Sequence, residues 1–434
     1  MDSMCKPVLV AGAGISGIQA AGLLGKMGRE AILYDGNTEK DREELKKALP
    51  EGTEIVLGEL PDDVVKRVSL CVISPGISLE VPFVQKLREA GIEIIGEIEL
   101  AYRYEKGTVI GITGTNGKTT TTTLVGDIMR AYLGEDRAFT VGNIGHPYTE
   151  EVLRSTPESV STIELSSFQL ETVKTFHAKV SAILNITPDH LNRHHTMECY
   201  TEVKERVAMN STKEDTVVLN AEDPRLLAFS ETTTATPVLF SGLRTLSNGY
   251  FLRDNTLYYA EDGRENKLLT TDEVNLVGRC NYENILAAVA ITRAMGVPMS
   301  LILDVVRNFK AVPHRIEFVE EVNGVRYYND SKGTNPDAAI QAVRAMTRPT
   351  VLLGGGYDKG SEFDEWIEEF GTTVKELILI GATREKIAEC CRAHGFTAYS
   401  FADTFEEAFS RAVSLAVPGD AVLLSPACAS WGMF

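Results

Sequence analysis

"GITGTNGKTTTTTLVG", residues Gly111–Gly126, decides how this chain is read. It has the composition of a phosphate-binding loop, but a Walker A motif places a glycine five residues before the glycine of its GK[ST] end, and Ile112 stands there instead. The glycines fall at Gly111, Gly114 and Gly117, directly before Lys118 and Thr119. An apolar run, "TVIGIT", precedes the loop, and a helical pattern follows it. Successive backbone N–H groups from Gly114 through Asn116 and Gly117 to Lys118 can then cradle phosphates, with the helix dipole behind them. Lys118 is placed to reach the β- and γ-phosphates, and Thr119 to offer a hydroxyl to Mg²⁺. A merely glycine-rich turn does not account for Lys-Thr at this point, so nucleotide triphosphate binding is expected.

The modules on either side have the same plan. "PVLVAGAGISGIQAAGLLGKMGREAILYDG" reads strand, loop, helix, strand. Gly12, Gly14 and Gly17 fit GxGxxG, and Asp35 follows about 20 residues on, as in dinucleotide sites. A dinucleotide and a sugar nucleotide both offer the pyrophosphate and ribose that this pattern serves, and a tight strand–helix turn needs no ligand at all. "LCVISPGI" gives a further strand ending at Ser74-Pro75-Gly76. In the second block, "VSTIELS", "VSAILNI" and "TVVLN" read as strands, residues 232–272 as hairpins, and "NYENILAAVAITRAMG" as a helix whose apolar stripe is interrupted at Thr292. "TVLLGGGYDKG", "ELILIGA" and "AVLLSPACAS" are strands of a third block, after a break at Pro313. Strands alternating with helices predict an α/β chain of three Rossmann-like or P-loop domains with parallel sheets, bounded as 1–100, 101–312 and 313–434.

In such sheets ligands lie beyond the carboxyl ends of the strands. The unusual residues fall there: Glu164 in "IELSSFQLE", where a carboxylate suits Mg²⁺; Asn185, Asp189 and His190 in "LNITPDHLNRHH"; Arg315 beside a domain boundary; Asp330, Lys332 and Thr334 in "YYNDSKGTNPD"; Lys359 in "GGGYDKG"; Ser425 and Ser430 in "LSPACAS". Plain readings stand beside these: a solvated arginine, surface loops at Lys359 and Ser430, and His194 and His195 as surface loop.

Composition bounds the function. A formal net charge of −18 disfavours nucleic acid and anionic membrane surfaces. No apolar run approaches the roughly 20 residues that span a bilayer, so no membrane insertion is expected. The N-terminus lacks the pattern of a signal peptide, and the seven cysteines show no CxxC pair and no metal spacing, which indicates reduced thiols and a cytoplasmic protein.

Taken together, "GTNGKTTT", "ELSSFQLE", "NITPDHLNRH", "PHRIE", "NDSKGTN", "GGGYDKG" and "LSPACAS" resemble the Mur ligases over nearly the whole chain. The set and its order are most similar to the member that adds D-glutamate. The resemblance implies an ATP-dependent, ADP-forming ligase joining D-glutamate to UDP-N-acetylmuramoyl-L-alanine in peptidoglycan precursor synthesis, and a monomer with no nucleic-acid partner and no membrane insertion is expected. It implies UDP contacts at Ile15, Ser16, Asp35, Ser74 and Gly76, and muramoyl-alanyl contacts at Asn143 and Ser166. It implies ATP contacts at Gly114, Asn116, Gly117, Lys118, Thr119, Thr120, Asn281, Asn284, Arg315 and Asp330. Thr119, Glu164 and His190 would serve two Mg²⁺ ions, one of them also held by a carbamylated Lys204. Lys332, Thr334, Lys359 and Ser430 would surround D-glutamate, and Lys118, His190 and Lys204 would be catalytic. Two features depart from the family pattern. Cys280 stands where a histidine usually precedes Asn281, and the sequence stops at Phe434, where the family continues for about one helix of the D-glutamate site, so the third domain reads as truncated.

Overall fold

Apolar strands ending in glycine turns build three sheets in a computed structural model that describes residues 6–358 and 360–430. In the first sheet, β1 (Val8–Ala11), β2 (Ala31–Asp35), β3 (Glu54–Leu57), β4 (Leu70–Ile73) and β5 (Glu93–Gly96) run parallel in the order β3-β2-β1-β4-β5. All four residues of β1 are buried, as a strand covered on both faces requires. The strand order reverses between β1 and β4, which sets the loops after these two strands side by side.

The second sheet contains β6 (Thr108–Thr113), β7 (Ala138–Gly142), β8 (Val160–Glu164), β9 (Val180–Ile183), β10 (Thr216–Asn220) and β11 (Thr236–Ser241), parallel in the order β11-β10-β9-β6-β8-β7. β6 therefore has β8 and β9 as neighbours, and the three loops at their carboxyl ends are adjacent. The hairpins expected over 232–272 begin later than the sequence suggests: β11 pairs parallel with β10, and only β12 (Gly249–Arg253), β13 (Thr256–Glu261) and β14 (Arg264–Thr270) are antiparallel. Asp254-Asn255 and Asp262-Gly263 make their turns, with positive φ at both residues of each pair. The expected helix is present as Arg279–Ala294, and Thr292 interrupts its apolar stripe without penalty because its hydroxyl donates to the Ala288 carbonyl at 2.7 Å.

The third sheet takes the order β15-β16-β20-β17-β18-β19, formed by β15 (Glu317–Val322), β16 (Val325–Asn329), β17 (Thr350–Gly354), β18 (Val374–Leu379), β19 (Tyr399–Phe401) and β20 (Ala421–Leu424). It is parallel except for the β15–β16 hairpin, which turns at Asn323-Gly324, again with positive φ at both residues.

The chain divides into two compact units: residues up to Phe240 with Ala287–Ile302, and Ser241–Leu286 with the residues from Leu303 onward. The first unit includes the first sheet and β6–β10, and buried carboxylates hold its two sheets in place. Glu97 accepts the Tyr148 N–H at 3.0 Å. Glu99, fully buried, accepts N–H groups from Lys174, Thr175 and Phe176 and the Thr175 hydroxyl. Burial pushes the Glu99 carboxyl up, but these donors outweigh it and hold it below the usual range.

Candidate active site

The loop after β6 is braced from below. Gly114 and Gly117 hold positive φ, and helix Lys118–Leu133 starts at Gly117. Asn185, after β9, accepts the Asn116 N–H at 2.8 Å through its side chain and donates to the Asn116 carbonyl at 3.1 Å. The Thr115 hydroxyl donates to the Thr187 carbonyl at 3.1 Å and lies 3.2 Å from the Tyr200 hydroxyl. Lys118 Nζ curls back onto the Gly114 and Thr115 carbonyls, at 3.0 and 2.7 Å.

A second lysine meets the same loop. Lys204 lies on helix Met197–Glu205, is 1% exposed, and donates to the Gly114 carbonyl at 2.8 Å, with the Tyr200 ring 4.6 Å away. Burial, and then the Lys118 charge, push its amine well below its ordinary value. It is not the solvated lysine that its sequence surroundings allow.

Glu164 closes β8 and is 1% exposed. Asn143 Nδ2 donates to its Oε1 at 2.7 Å, while Oε2 is buried with no hydrogen-bond partner. An orphaned carboxylate oxygen beside a phosphate-type loop fits a hard cation. His190 sits at φ 55°, 4.8 Å from the Phe168 ring, with Nε2 3.4 Å from Asp189. Ser166 caps helix Ser167–Leu170 in a capping box with Gln169. Thr119 and Thr120 occupy the first turn of their helix.

In the first sheet, Gly12, Ile15, Ser16, Asp35, Ser74 and Gly76 line one cleft of about 610 Å³. A Cβ on Gly17 would stand 1.8 Å from the Gly12 carbonyl, and one on Gly12 would stand 2.4 Å from Ser74 Oγ. Asp35 accepts the Ala13 N–H at 2.8 Å and the Asn37 N–H at 2.9 Å, so it shapes the glycine loop itself. Ser74 Oγ is buried with no partner, and Tyr34 and Phe83 form an aromatic wall with ring centroids 4.9 Å apart.

The remaining expected residues belong to the second unit. Asn281 and Asn284 are buried and bonded to each other at 3.3 Å, with Cys280 packed against the core of the third sheet. Asp330, 4% exposed, accepts the Ile316 N–H at 3.1 Å and the Ser425 hydroxyl at 2.7 Å. Burial raises its carboxyl to about 7, against the pull of these bonds and of Arg315. Arg315 lies between His314 and Ile316, both at positive φ, and its Nε is buried without a partner. The Lys332 N–H donates to the His314 carbonyl at 3.1 Å, and the Thr334 N–H to the Lys332 carbonyl at 2.9 Å. Ser430 lines a small cavity of about 220 Å³ with Ser331, Gly355 and Cys428. Lys359 is outside the described residues.

Some participants are not evident from the sequence. His194, expected on a surface loop, is 4% exposed between Phe168 and Tyr200, with Nε2 2.9 Å from Ser167 Oγ; His195 is exposed as expected. Arg193 chelates Glu171 and donates to the Ile77 carbonyl at 2.9 Å, joining the loop after β9 to the loop after β4. The i, i+4 spacing of Tyr200 and Lys204 was the one local signal for the buried cluster.

Three family models cover the chain: a Mur ligase MurD-like N-terminal domain at residues 6–96, the Mur ligase middle domain at 112–292, and a Mur ligase glutamate ligase domain at 314–428. The chain is 52% identical over 435 residues to a UDP-N-acetylmuramoylalanine–D-glutamate ligase of Lachnospira eligens, covering 100% of this chain and 96% of that protein. It is 43% identical over 440 residues to the protein of the same name from Clostridioides difficile, with the same coverage. Among solved structures, UDP-N-acetylmuramate-alanine ligase MurC of Thermotoga maritima superposes with a TM-score of 0.61 at 19% identity, over 97% of this chain and 95% of that one. MurF ligase of Thermotoga maritima in complex with ADP gives 0.59 at 17%, over 98% and 94%. These two likenesses establish the shared fold, and the full-length relatives together with the three domain models establish that the chain belongs to the Mur ligase family.

Proposed function

We propose that this protein is the ATP-dependent ligase that joins D-glutamate to UDP-N-acetylmuramoyl-L-alanine in the cytoplasm, with domain boundaries near residues 100 and 313. The observation that carries the reading is the convergence of Lys118, Lys204 and the half-satisfied Glu164 on neighbouring strand ends.

A carboxylate is a poor electrophile at neutral pH. Attack of the alanyl carboxylate oxygen on the γ-phosphorus of ATP releases ADP and leaves an acyl phosphate. The amine of D-glutamate then adds to that carbonyl, and the tetrahedral adduct collapses to the amide with loss of phosphate and a proton. Positioning and charge stabilisation supply most of the catalysis of such a transfer. In this chain the loop Gly114–Lys118, whose Thr115 and Asn116 N–H groups are given to Asn185, turns the start of helix Lys118–Leu133 toward the polyphosphate, and Lys118 moves from its two carbonyls onto the β- and γ-phosphates. Thr120 extends that helix-terminal donor set. Asn281, Asn284, Arg315 and Asp330 are assigned to ATP, and Lys332, Thr334, Lys359 and Ser430 to D-glutamate.

Mg²⁺, when bound, neutralises the repulsion between phosphate and carboxylate oxygens. Glu164, Thr119 and His190 would supply ligands for it. Lys204 would become one after carbamylation, in which its neutral amine adds to CO₂ and releases a proton. The depressed basicity of Lys204 favours that neutral amine. An ammonium cannot ligate a cation, whereas the carbamate is an anion beside Lys118. The cleft at Gly12–Gly17 takes the UDP end: Asp35 and Ser74 address ribose and phosphate, while Ile15, 74% exposed, offers an apolar plate. Asn143 and Ser166 face the muramoyl-alanyl part.

The test is phosphate release from ATP in the presence of UDP-N-acetylmuramoyl-L-alanine. D-glutamate is expected to stimulate it strongly and L-alanine not at all; equal stimulation by the two would overturn the assignment.

A further inference from the structure

The C-terminal part of the chain carries a side-chain cluster that the ligase chemistry does not use. Helices Asp364–Glu368 and Arg384–Ala393 pack on a core that includes Trp366, Ile367, Ile387 and Cys391, each at most 3% exposed. Two pairs of polar side chains with i, i+4 spacing face each other above that core: Asp364 with Glu368, and Cys390 with His394. His394 Nε2 lies 2.9 Å from Asp364 Oδ1, and its Nδ1 lies 3.7 Å from Glu368 Oε1. The ligand atoms of Asp364, Cys390 and His394 all lie within 4.8 Å of one another.

This donor set is mixed rather than acidic alone. Zn²⁺ binds thiolate sulfur at about 2.3 Å and imidazole nitrogen or carboxylate oxygen at about 2.0–2.2 Å, in tetrahedral arrangement. A nitrogen and an oxygen so bound stand about 3.3 Å apart. His394 and Asp364 therefore need to separate by only a few tenths of an ångström to admit the ion. Neither carboxylate pairs with a lysine or arginine among the described residues. Cys390 and His394 also sit at the carboxyl end of their helix, where the dipole favours a cation.

We propose that Asp364, Cys390 and His394 form a site for a soft divalent cation of the Zn²⁺ class, with Glu368, 3.7 Å from Nδ1, close enough to take up that N–H once the ring turns onto the metal. As the sulfur–metal bond forms, the thiol proton leaves to solvent. His394 binds through Nε2, and water completes the fourth position, since Asp364 is 57% exposed. Glu368 then plays the part of the carboxylate that commonly fixes a metal-bound imidazole. The ion ties the two helices together and is independent of ATP and of the sugar nucleotide.

The full chain, reduced and freed of metal by chelation, is titrated with Zn²⁺ alone by calorimetry and with Co²⁺ by absorbance. The expected result is one equivalent bound, a thiolate-to-cobalt charge-transfer band, and a Zn²⁺-dependent rise in thermal midpoint. Cys390→Ser is expected to abolish both the band and the rise. Glu368→Gln is expected to keep the band and weaken Zn²⁺ by about 10- to 100-fold. A wild-type chain with no band, or a band that persists in Cys390→Ser, overturns the site. Should Cys390→Ser fail to fold, His394→Ala carries the same test, and Zn²⁺ affinity equal to wild type in that variant is equally decisive against it.

Discussion

The loop Gly12–Gly17 and the loop Gly114–Lys118 both join a buried parallel strand to a helix N-terminus, and in both a glycine holds positive φ. Their surroundings differ. The residues lining the first cleft include no lysine or arginine, its one carboxylate is occupied with backbone N–H groups, and an aromatic pair forms one side. The second loop carries two lysines on a single carbonyl, with a buried carboxylate at the end of the next strand. The first arrangement suits holding a nucleotide whose phosphates do not react. The second gathers a lysine, a buried amine of depressed basicity and a buried carboxylate, a set that suits a reacting polyphosphate and its cations. In the proposed function the same backbone device serves recognition in one place and chemistry in the other, and the side chains around it decide which.

The most severe way to break this comparison is Lys118→Ala. ATP turnover is expected to fall by about 10³-fold, as for loss of a main stabilising donor, with sugar-nucleotide affinity unchanged. Phosphate release and calorimetry measure the two, and a joint collapse would show that the loops are not separate devices.

Lys204→Ala should cost about 100-fold in turnover with the fold intact by circular dichroism, and a short added carboxylate should restore part of it. Near-wild-type turnover in a folded variant would remove Lys204 from the reactive loop. Its titration sharpens the point. The folded-state amine lies below its unfolded value, so the unfolded chain binds more protons as pH rises toward about 10.4. Stability carried by this site therefore grows with pH over that window. In CO₂-free buffer, the stability of the wild type relative to Lys204→Met should rise from pH 7 to 10, and a flat difference contradicts the burial argument.

A smaller effect is expected at the other loop. Gly17→Ala forces a Cβ against the Gly12 carbonyl, a backbone clash costing about 1–3 kcal/mol. KM for the sugar nucleotide should rise while KM for ATP stays fixed; equal changes in both would mean that the loops are coupled.

The mildest change is Asp35→Asn. The amide keeps one acceptor of the two that shape the loop, so the expected loss is about 1.5 kcal/mol, or roughly tenfold in uridine-nucleotide affinity. Competition binding with UDP reads it directly. No loss would place Asp35 outside the recognition loop.

Much of the architecture is determined by short-range pattern in the sequence. "VLVA", "AILYD", "TVIGIT" and "TVVLN" coincide with β1, β2, β6 and β10, because a strand buried on both faces must be apolar throughout. Gly12, Gly114, Gly117 and the Asn323-Gly324 turn mark backbone conformations that few other residues adopt, and this too is local. The tertiary structure alone decided the state of the polar side chains. Lys204 looks like a solvated helix lysine until the chain brings it under Gly114, 90 residues away, and His194 looks exposed until Phe168 and Tyr200 close over it. Glu164 reads as a strand-end acid, yet one of its oxygens is left unmatched. The Asp364 and Cys390–His394 pairs show no metal spacing along the chain and meet only across two helices. Desolvation and Coulomb energy depend on burial and on distance through space, and residues far apart in the chain set both.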